Sequence, residues 1–288
     1  GYTYPEQGIS CAFEQQLGRR RTVSESPDII LGVDVGGTFT DVLALDRASG
    51  TIVAAIKVPS TSANPADGAM IGVDRYLSRH RHGVCAVFHG TTVGTNTLIE
   101  KKGGPTALLT TRGFRDVLAL RRQARPRLYD LTPEVSPPLV ERHRRLEVNA
   151  RLAASGKVTQ ALESVEIARV VAAVRAAGVE SVAICLLHAY VNDMHERQLG
   201  EALADACPDL FVTLSSDVCR EFREFERTST AVVNAYISPP VSGYVKALQA
   251  QLHDRQIPSL AIVKSNGGLT SAANAVRYPA QLIESGPA

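Results

Sequence analysis

The pattern of apolar and polar positions becomes regular at Ile29. Ile29-Ile30-Leu31-Gly32-Val33-Asp34-Val35 is a short, nearly continuous apolar run, the kind found in a strand buried on both faces. Gly36-Gly37 supplies a tight turn, because glycine enters positive φ freely. Phe39 to Leu45 and Ile52 to Val58 follow as two more strands, joined by a turn over Asp46 to Gly50. The opening therefore reads as a three-stranded meander. Beyond it the period lengthens. Asn64-Pro65 is a helix cap followed by proline in the first turn, with Asp67 at the positive helix end, and Ala69, Met70, Val73 and Leu77 recur at helical spacing. Strands at Val84 to Phe88, Thr106 to Leu109, Val182 to Leu187 and Phe211 to Leu214 alternate with helices at Thr92 to Glu100, Ser164 to Ala177 and His195 to Ala206. A long helical region, broken at Pro239-Pro240, leads to a last strand at Leu260 to Val263. Such alternation predicts an α/β architecture with a largely central sheet.

Residues 1–28, with three consecutive arginines at Arg19 to Arg21, read as a poorly ordered leader. A weak boundary near residues 188–195 divides an N-terminal domain (29–192) from a second, incomplete one (193–288). That second region is expected to lack strands that would cover its apolar faces. The chain starts at Gly1 and stops at Ser285-Gly286-Pro287-Ala288, directly after an apolar stretch, so it reads as an excerpt of something longer.

Composition narrows the class. With 288 residues the expectation is about two domains, and 44% hydrophobic against 21% charged residues excludes a disordered or fibrous chain. Trp is absent, so the core must be aliphatic. A formal charge of +2 calls for neither nucleic acid nor an acidic membrane as partner. No apolar run approaches a membrane span, and the N-terminus lacks a signal layout, which points to the cytoplasm. Five scattered cysteines with no C-x-x-C pair suit free thiols in a reducing compartment better than a zinc site.

Asp34-Val35-Gly36-Gly37-Thr38-Phe39-Thr40-Asp41 carries the strongest chemistry. Phosphate binding needs backbone N–H groups converging without obstruction, which glycines allow, and hydroxyl donors such as Thr38 and Thr40. Asp34 or Asp41 offers a carboxylate for Mg²⁺. The turn leads into a second strand rather than a helix, so it is not a P-loop; an ordinary Gly-Gly hairpin is the rival. His89-Gly90-Thr91-Thr92-Val93-Gly94-Thr95-Asn96-Thr97 sits after a strand and before a helix, where α/β sheets hold ligands. Thr91, Thr92 and Asn96 are cleft candidates there, facing the same cleft as Gly36 to Thr38. Plain helix capping is the alternative, and His89 reads equally as a satisfied core residue. Six arginines lie between Arg112 and Arg127, and arginine forks suit carboxylates and phosphates. Arg112 and Arg125 are the candidates; a solvated face paired with Asp116, Asp130 and Glu134 is at least as good a reading. Glu221, Arg223, Glu224, Glu226 and Arg227 look like a solvated helix face. Asn266 and Gly267, in Ser265-Asn266-Gly267-Gly268 after a buried strand, are a weak cleft candidate beside an ordinary loop.

Taken in order, the Asp34–Asp41 and His89–Asn96 segments, Arg112-Gly113-Phe114-Arg115-Asp116, Leu128-Tyr129-Asp130-Leu131, Cys185-Leu186-Leu187-His188, Ser265–Gly268 and Glu284–Ala288 closely resemble the hydantoinase A / 5-oxoprolinase family. The resemblance runs from about Ile29 to the last residue and covers the first part of a longer subunit. It implies an actin-like ATPase (ribonuclease H-like) fold with two lobes around an ATP cleft, related to sugar kinases and heat-shock chaperones. Family members use ATP to open cyclic amides or imides such as 5-oxoproline or hydantoins, by phosphoryl transfer to a carbonyl oxygen, and relatives activate ketones for carboxylation. Carried onto this chain, Asp34 to Thr38 become the first phosphate loop, with ATP and Mg²⁺ as cofactors and a hydantoinase B-type subunit or fused domain as partner. No second Asp-x-Gly-Gly-Thr follows Asp41, so half of the ATP site is expected outside these residues, and the chain alone is expected to be inactive. The rivals are a sugar kinase, a ketone carboxylase subunit and a non-catalytic binding module.

Overall fold

The computed structural model describes residues 28–36, 38–60, 65–80, 83–124, 129 and 136–283. The leader, Gly37, Asn64, Arg125, Asp130, Glu134 and the Glu284–Ala288 segment therefore lie outside the described residues.

The chain opens with β1 (Ile29–Val35), β2 (Phe39–Asp46) and β3 (Ile52–Pro59), an antiparallel meander in which Val35 faces Thr40. Helix α1 (Pro65–Leu77) returns the chain to β4 (Val84–Thr91), which lies parallel to β1. After α2 (Val93–Ile99) come β5 (Thr106–Thr111), α3 (Val117–Leu120), β6 (Arg145–Val148) and the small pair β7 (Arg151–Leu152) and β8 (Val158–Gln160). Helix α4 (Ser164–Ala176), β9 (Ser181–Cys185), α5 (Met194–Ala206), β10 (Phe211–Leu214) and α6 (Ser215–Val218) follow. The 31-residue α7 (Glu224–Asp254) then leads to β11 (Leu260–Val263), β12 (Leu269–Ser271) and α8 (Ala272–Arg277).

The strands form two main sheets rather than one central sheet. The first has the order β12-β11-β4-β1-β2-β3; the second, all parallel, has β10-β9-β5-β6. Strand–helix alternation is the same whether successive strands join one sheet or two, so the partition left no mark in the periodicity. In the first sheet, Val33, Val35, Val42 and Ala44 point inward and bury against α1 and α7. Phe39 and Leu43, each 46% exposed, stand with Asp41 on the other face. Exposed apolar side chains thus stand on the outer face of the N-terminal meander. No helix among the described residues is long and apolar enough to cross a membrane.

Helix α7 passes through Pro239-Pro240 unbroken, contrary to the expected break. A proline at 240 cannot donate to the carbonyl of Tyr236. That carbonyl instead accepts from the Gly104 N–H at 3.0 Å. The replacement donor reaches it only because Gly103 and Gly104 have no side chains. A Cβ on Gly103 would stand 2.2 Å from the Tyr236 ring, and one on Gly104 2.7 Å from Pro239.

At its first turn α7 also corrects the solvated-face reading. Arg227 is 1% exposed and donates to Leu186 O and Ser215 Oγ, both at 2.9 Å, with Glu196 at 3.9 Å. Glu196 is itself saturated by Leu186 N–H, Ser216 N–H and the Ser215 hydroxyl. Three helices and the segment after β9 meet on this one pair. We expect Gly103→Ala to destabilise the protein by about 1–3 kcal/mol through overpacking against Tyr236, read as a lower urea midpoint with unchanged m-value.

Candidate functional site

Strands β1, β4 and β11 are mutually parallel, so their carboxyl ends share one edge of the first sheet. Three predicted segments meet there: the glycine turn after β1, the threonine-rich segment at the end of β4, and Ser265–Gly267 after β11.

The turn after β1 is a two-residue hairpin. Gly36 N–H donates to Phe39 O at 3.1 Å, leaving only positions 37 and 38 in the loop. That bond commits the Gly36 donor to the hairpin. A side chain there would press within 3.1 Å of the Phe39 carbonyl. Thr38 is exposed at the tip, and its carbonyl accepts from Ser60 N–H. Thr40 points the other way; it is fully buried, and its hydroxyl is engaged with Ser60 Oγ at 3.0 Å.

Asp34 and Asp41 face each other across the β1–β2 ladder. Burial, and secondly the Asp41 charge, push the Asp34 carboxyl above its ordinary range. Asp41 has a cation of its own, Lys57, at 3.1 Å, and Asp34 has no hydrogen-bond or ion-pair partner among the described residues. Opposed like charges on a strand pair are destabilising unless something screens them. No cluster of three or more His, Cys, Asp or Glu side chains able to hold a metal exists among the described residues. Two carboxylates nonetheless fit Mg²⁺, which is held by one or two carboxylates together with substrate phosphates and water.

The β4 segment lies against this turn. Thr92 Oγ1 donates to the Val35 carbonyl at 3.4 Å rather than capping α2, and Asn96 Nδ2 donates to Thr92 Oγ1 at 3.4 Å. Asn96 is exposed; Thr91 is buried, and its hydroxyl accepts from Val93 N–H at 3.2 Å. At β11, Gly267 takes φ +79° in a turn where Asn266 Oδ1 accepts from Gly268 N–H. Lys264, the residue just after β11, places a cation on the same edge; no pattern around it in the sequence singles it out.

His89 is a satisfied core residue. It is fully buried, with Nδ1 3.0 Å from Val33 O and Nε2 2.6 Å from the Tyr244 hydroxyl. A carbonyl can only accept, so Nδ1 carries the proton, Nε2 accepts, and Tyr244 donates. Burial lowers the His89 pKa to about 4 and pushes the Tyr244 hydroxyl up. Tyr244 lies 155 residues from His89, and nothing in the sequence links them.

The arginine segment is elsewhere, on the carboxyl edge of the second sheet. Arg112 is exposed on the turn after β5. Asp116 pairs with Arg142 and Arg145, at 3.0 and 3.2 Å, which lie outside the segment, while within it Arg115 pairs with Glu147 and Arg122 with Glu226; part of the segment is ion-paired, but not through the expected Asp116. Arg125, Asp130 and Glu134 lie outside the described residues.

Mixed-sheet α/β proteins with these segments in this order form a recognisable class, and comparison with known proteins identifies it. Residues 30–207 match the family model for the hydantoinase/oxoprolinase N-terminal region, and residues 227–288 match that for hydantoinase/oxoprolinase. The chain belongs to the hydantoinase/oxoprolinase family. It is 36% identical, over 90% of its length, to an uncharacterised protein of Methanocaldococcus jannaschii. It is 34% identical to the caprolactamase alpha subunit of Pseudomonas jessenii, again over 90% of its length. It spans 38% of each of these relatives. The crystal structure of the ATP-dependent caprolactamase from Pseudomonas jessenii aligns with a TM-score of 0.78 at 30% identity, covering 90% of this chain and 38% of that one. Nucleotide-free acetone carboxylase shares the fold, with a TM-score of 0.78 at 24% identity over 91% of this chain and 39% of its own.

The His89 environment has a measurable consequence. An unfolded histidine titrates near 6.5, whereas buried His89 does so at about 4. Below pH 6.5 the unfolded state therefore binds more protons. The contribution is fully present above 6.5 and is lost as pH falls towards 4, by about 3 kcal/mol in all. Denaturant titrations across that window should show the loss in the wild type and a shallower dependence in His89→Gln.

Proposed function

We propose that the chain is the N-terminal part of an ATP-dependent enzyme subunit that opens cyclic amides or imides, of hydantoin, 5-oxoproline or lactam type, through carbonyl phosphorylation. Because it spans only 38% of its relatives, the activity is proposed for the whole protein, with the remaining wall of the nucleotide cleft supplied by an opposite lobe of actin-like type and a hydantoinase B-type subunit or fused domain as partner. The observation that carries this reading is the shared edge of β1, β4 and β11, which gathers Asp34, Thr38, Thr92, Asn96, Asn266 and Gly267. Bound ATP supplies the phosphoryl group that makes a poor carbonyl electrophile reactive. The chain's own part is to hold it. Thr38 presents an exposed hydroxyl at the hairpin to phosphate oxygens, and Asp34 offers a carboxylate to Mg²⁺, balanced by Lys57 on Asp41. Thr92, bonded to Val35 O, fixes the hairpin root against β4. Gly36 contributes conformation rather than a donor, since its N–H is already used, and buried Thr40 supports the turn through Ser60.

Water attacking the phosphorylated amide carbonyl opens the ring and releases phosphate; carboxylation, the activity named in the acetone carboxylase structure, needs bicarbonate as the activated carbonyl carbon and a ketone-derived carbanion as the attacking group. In a sugar kinase a sugar hydroxyl would itself accept the phosphoryl group. The test is ADP release by the full-length protein and its partner with caprolactam, hydantoin, 5-oxoproline, acetone plus bicarbonate, or hexoses. We expect a cyclic amide to stimulate turnover, and Asp34→Ala to lower it by about 10²–10³-fold. Stimulation by a hexose or ketone alone would overturn the substrate class, and an unaltered Asp34→Ala rate would overturn the site.

A further inference from the structure

We infer that the carboxyl edge of the second sheet holds a separate ligand site, in which the guanidinium of Arg112 takes the carboxylate of a small organic acid. In open α/β sheets, ligands sit beyond the carboxyl ends of parallel strands. Between β5 and β9 that space is closed by the protein itself, because Thr111 Oγ1 accepts from Leu187 N–H at 3.0 Å. Over β5 and β6 the described residues line two adjoining cavities of about 570 and 400 Å³, which share Arg115 and Glu147.

Charge decides what fits. The two cavities are lined by four arginines and three carboxylates, and each carboxylate is already claimed. Arg115 pairs with Glu147 at 3.3 Å, Arg142 with Asp116 at 3.0 Å, and Arg169 with Glu166 at 2.6 Å. Glu166 is filled on both oxygens by Arg169 and also accepts from Asn149 N–H, so it has little left for its neighbour Arg112. Arg112 is the surplus cation, and its side chain donates no hydrogen bond to any described residue. One unneutralised guanidinium matches one anionic group.

Local geometry keeps that fork presented. Phe114 N–H donates to Thr111 O at 2.9 Å and Gly113 takes φ +88°, which makes Thr111–Phe114 a type II turn with Arg112 at its outer corner. Arg112 N–H is pinned to Val148 O at 3.0 Å. Arg115 lines both cavities, where its Nη2 donates to Glu147 Oε2 at 3.3 Å and its shielded Nε has no acceptor among the described residues. Phe114, Val117, Leu120 and Leu146 line the same cavities, so an acid with an apolar body fits better than a bare ion. The identity of the acid rests on the reading proposed above: ring opening of a cyclic amide leaves a new carboxylate on an alkyl chain.

The test is calorimetric titration of the full-length protein, without nucleotide, using hexanoate, its neutral isostere hexanamide, and inorganic phosphate. Hexanoate should bind at least tenfold tighter than hexanamide or phosphate. Arg112→Ala should weaken it tenfold or more with an unchanged thermal midpoint, and Arg112→Lys should restore only part, because a point charge lacks the planar fork. Equal binding of hexanoate and hexanamide, tighter binding of phosphate, or indifference to Arg112→Ala would each overturn the assignment. Mg²⁺-ATP titrated into the same sample separates the two ideas. Nucleotide binding without hexanoate binding overturns this site alone; Arg112-dependent hexanoate binding without nucleotide binding supports it and counts against the ATP site.

Discussion

Helix α7 must satisfy two sheets at once, and the rest of the fold follows from how it does so. Its first turn buries Arg227 against Leu186, Ser215 and Glu196 at the carboxyl edge of the second sheet. Its middle rests on Gly103-Gly104, and Tyr244 further along reaches His89 inside the first sheet. A buried ion pair is weak evidence for net stability, because desolvation offsets much of the attraction. Its value lies in position: with one partner removed, the other charge is left in a dry interior at a cost of about 3–5 kcal/mol. The pair therefore fixes where α7 starts. The glycine seat fixes its course across the double proline.

The candidate site is a consequence of that path. Strand β11 reaches the first sheet only after α7 has carried the chain back from the second, and it pairs parallel to β4 with Ile262 beside His89. Ser265–Gly267 thus joins the glycine hairpin from more than two hundred residues away in sequence. The His89 imidazole holds the Val33 carbonyl one residue before Asp34, so the strand that delivers the carboxylate is anchored from below by a group tied to α7. Asp34 and Asp41, set opposite each other, work against the fold locally by up to about 1 kcal/mol. Such a conflict between local preference and fold is expected at a functional position.

Local features were legible and global ones were not. The meander and most helix spans follow from period and turn chemistry, which act over a few residues; the turn itself lies one residue later than Gly36-Gly37, because Gly36 is paired with Phe39. The division into two sheets does not, since β5 follows α2 in sequence as readily whether it joins β4 or founds a new sheet. Pro239-Pro240 reads as a break because the compensating donor, Gly104 N–H, lies 132 positions upstream of its acceptor Tyr236. Arg227 reads as solvated because its partners Glu196 and Ser215 sit on other elements. Within the candidate site, the sharing of one edge by Asp34, Thr92 and Asn96 was foreseeable from adjacent strands. Tyr244 and the commitment of Gly36 N–H to the hairpin required the structure.

The two carboxyl edges carry opposite electrostatic demands. At the first edge, Asp34 stands without a partner among the described residues opposite Asp41, which is paired with Lys57. At the second, every acidic side chain lining the open cavities is paired and one guanidinium is in excess. On the proposed reading, the first edge takes a polyphosphate together with its metal and the second a free organic acid. Discrimination of this kind comes from unpaired charge rather than from contact area, since desolvating a charge without its counter-charge is costly. One rigid helix, anchored by Arg227 near the second edge and by Tyr244 beneath the first, holds both demands in a single fold.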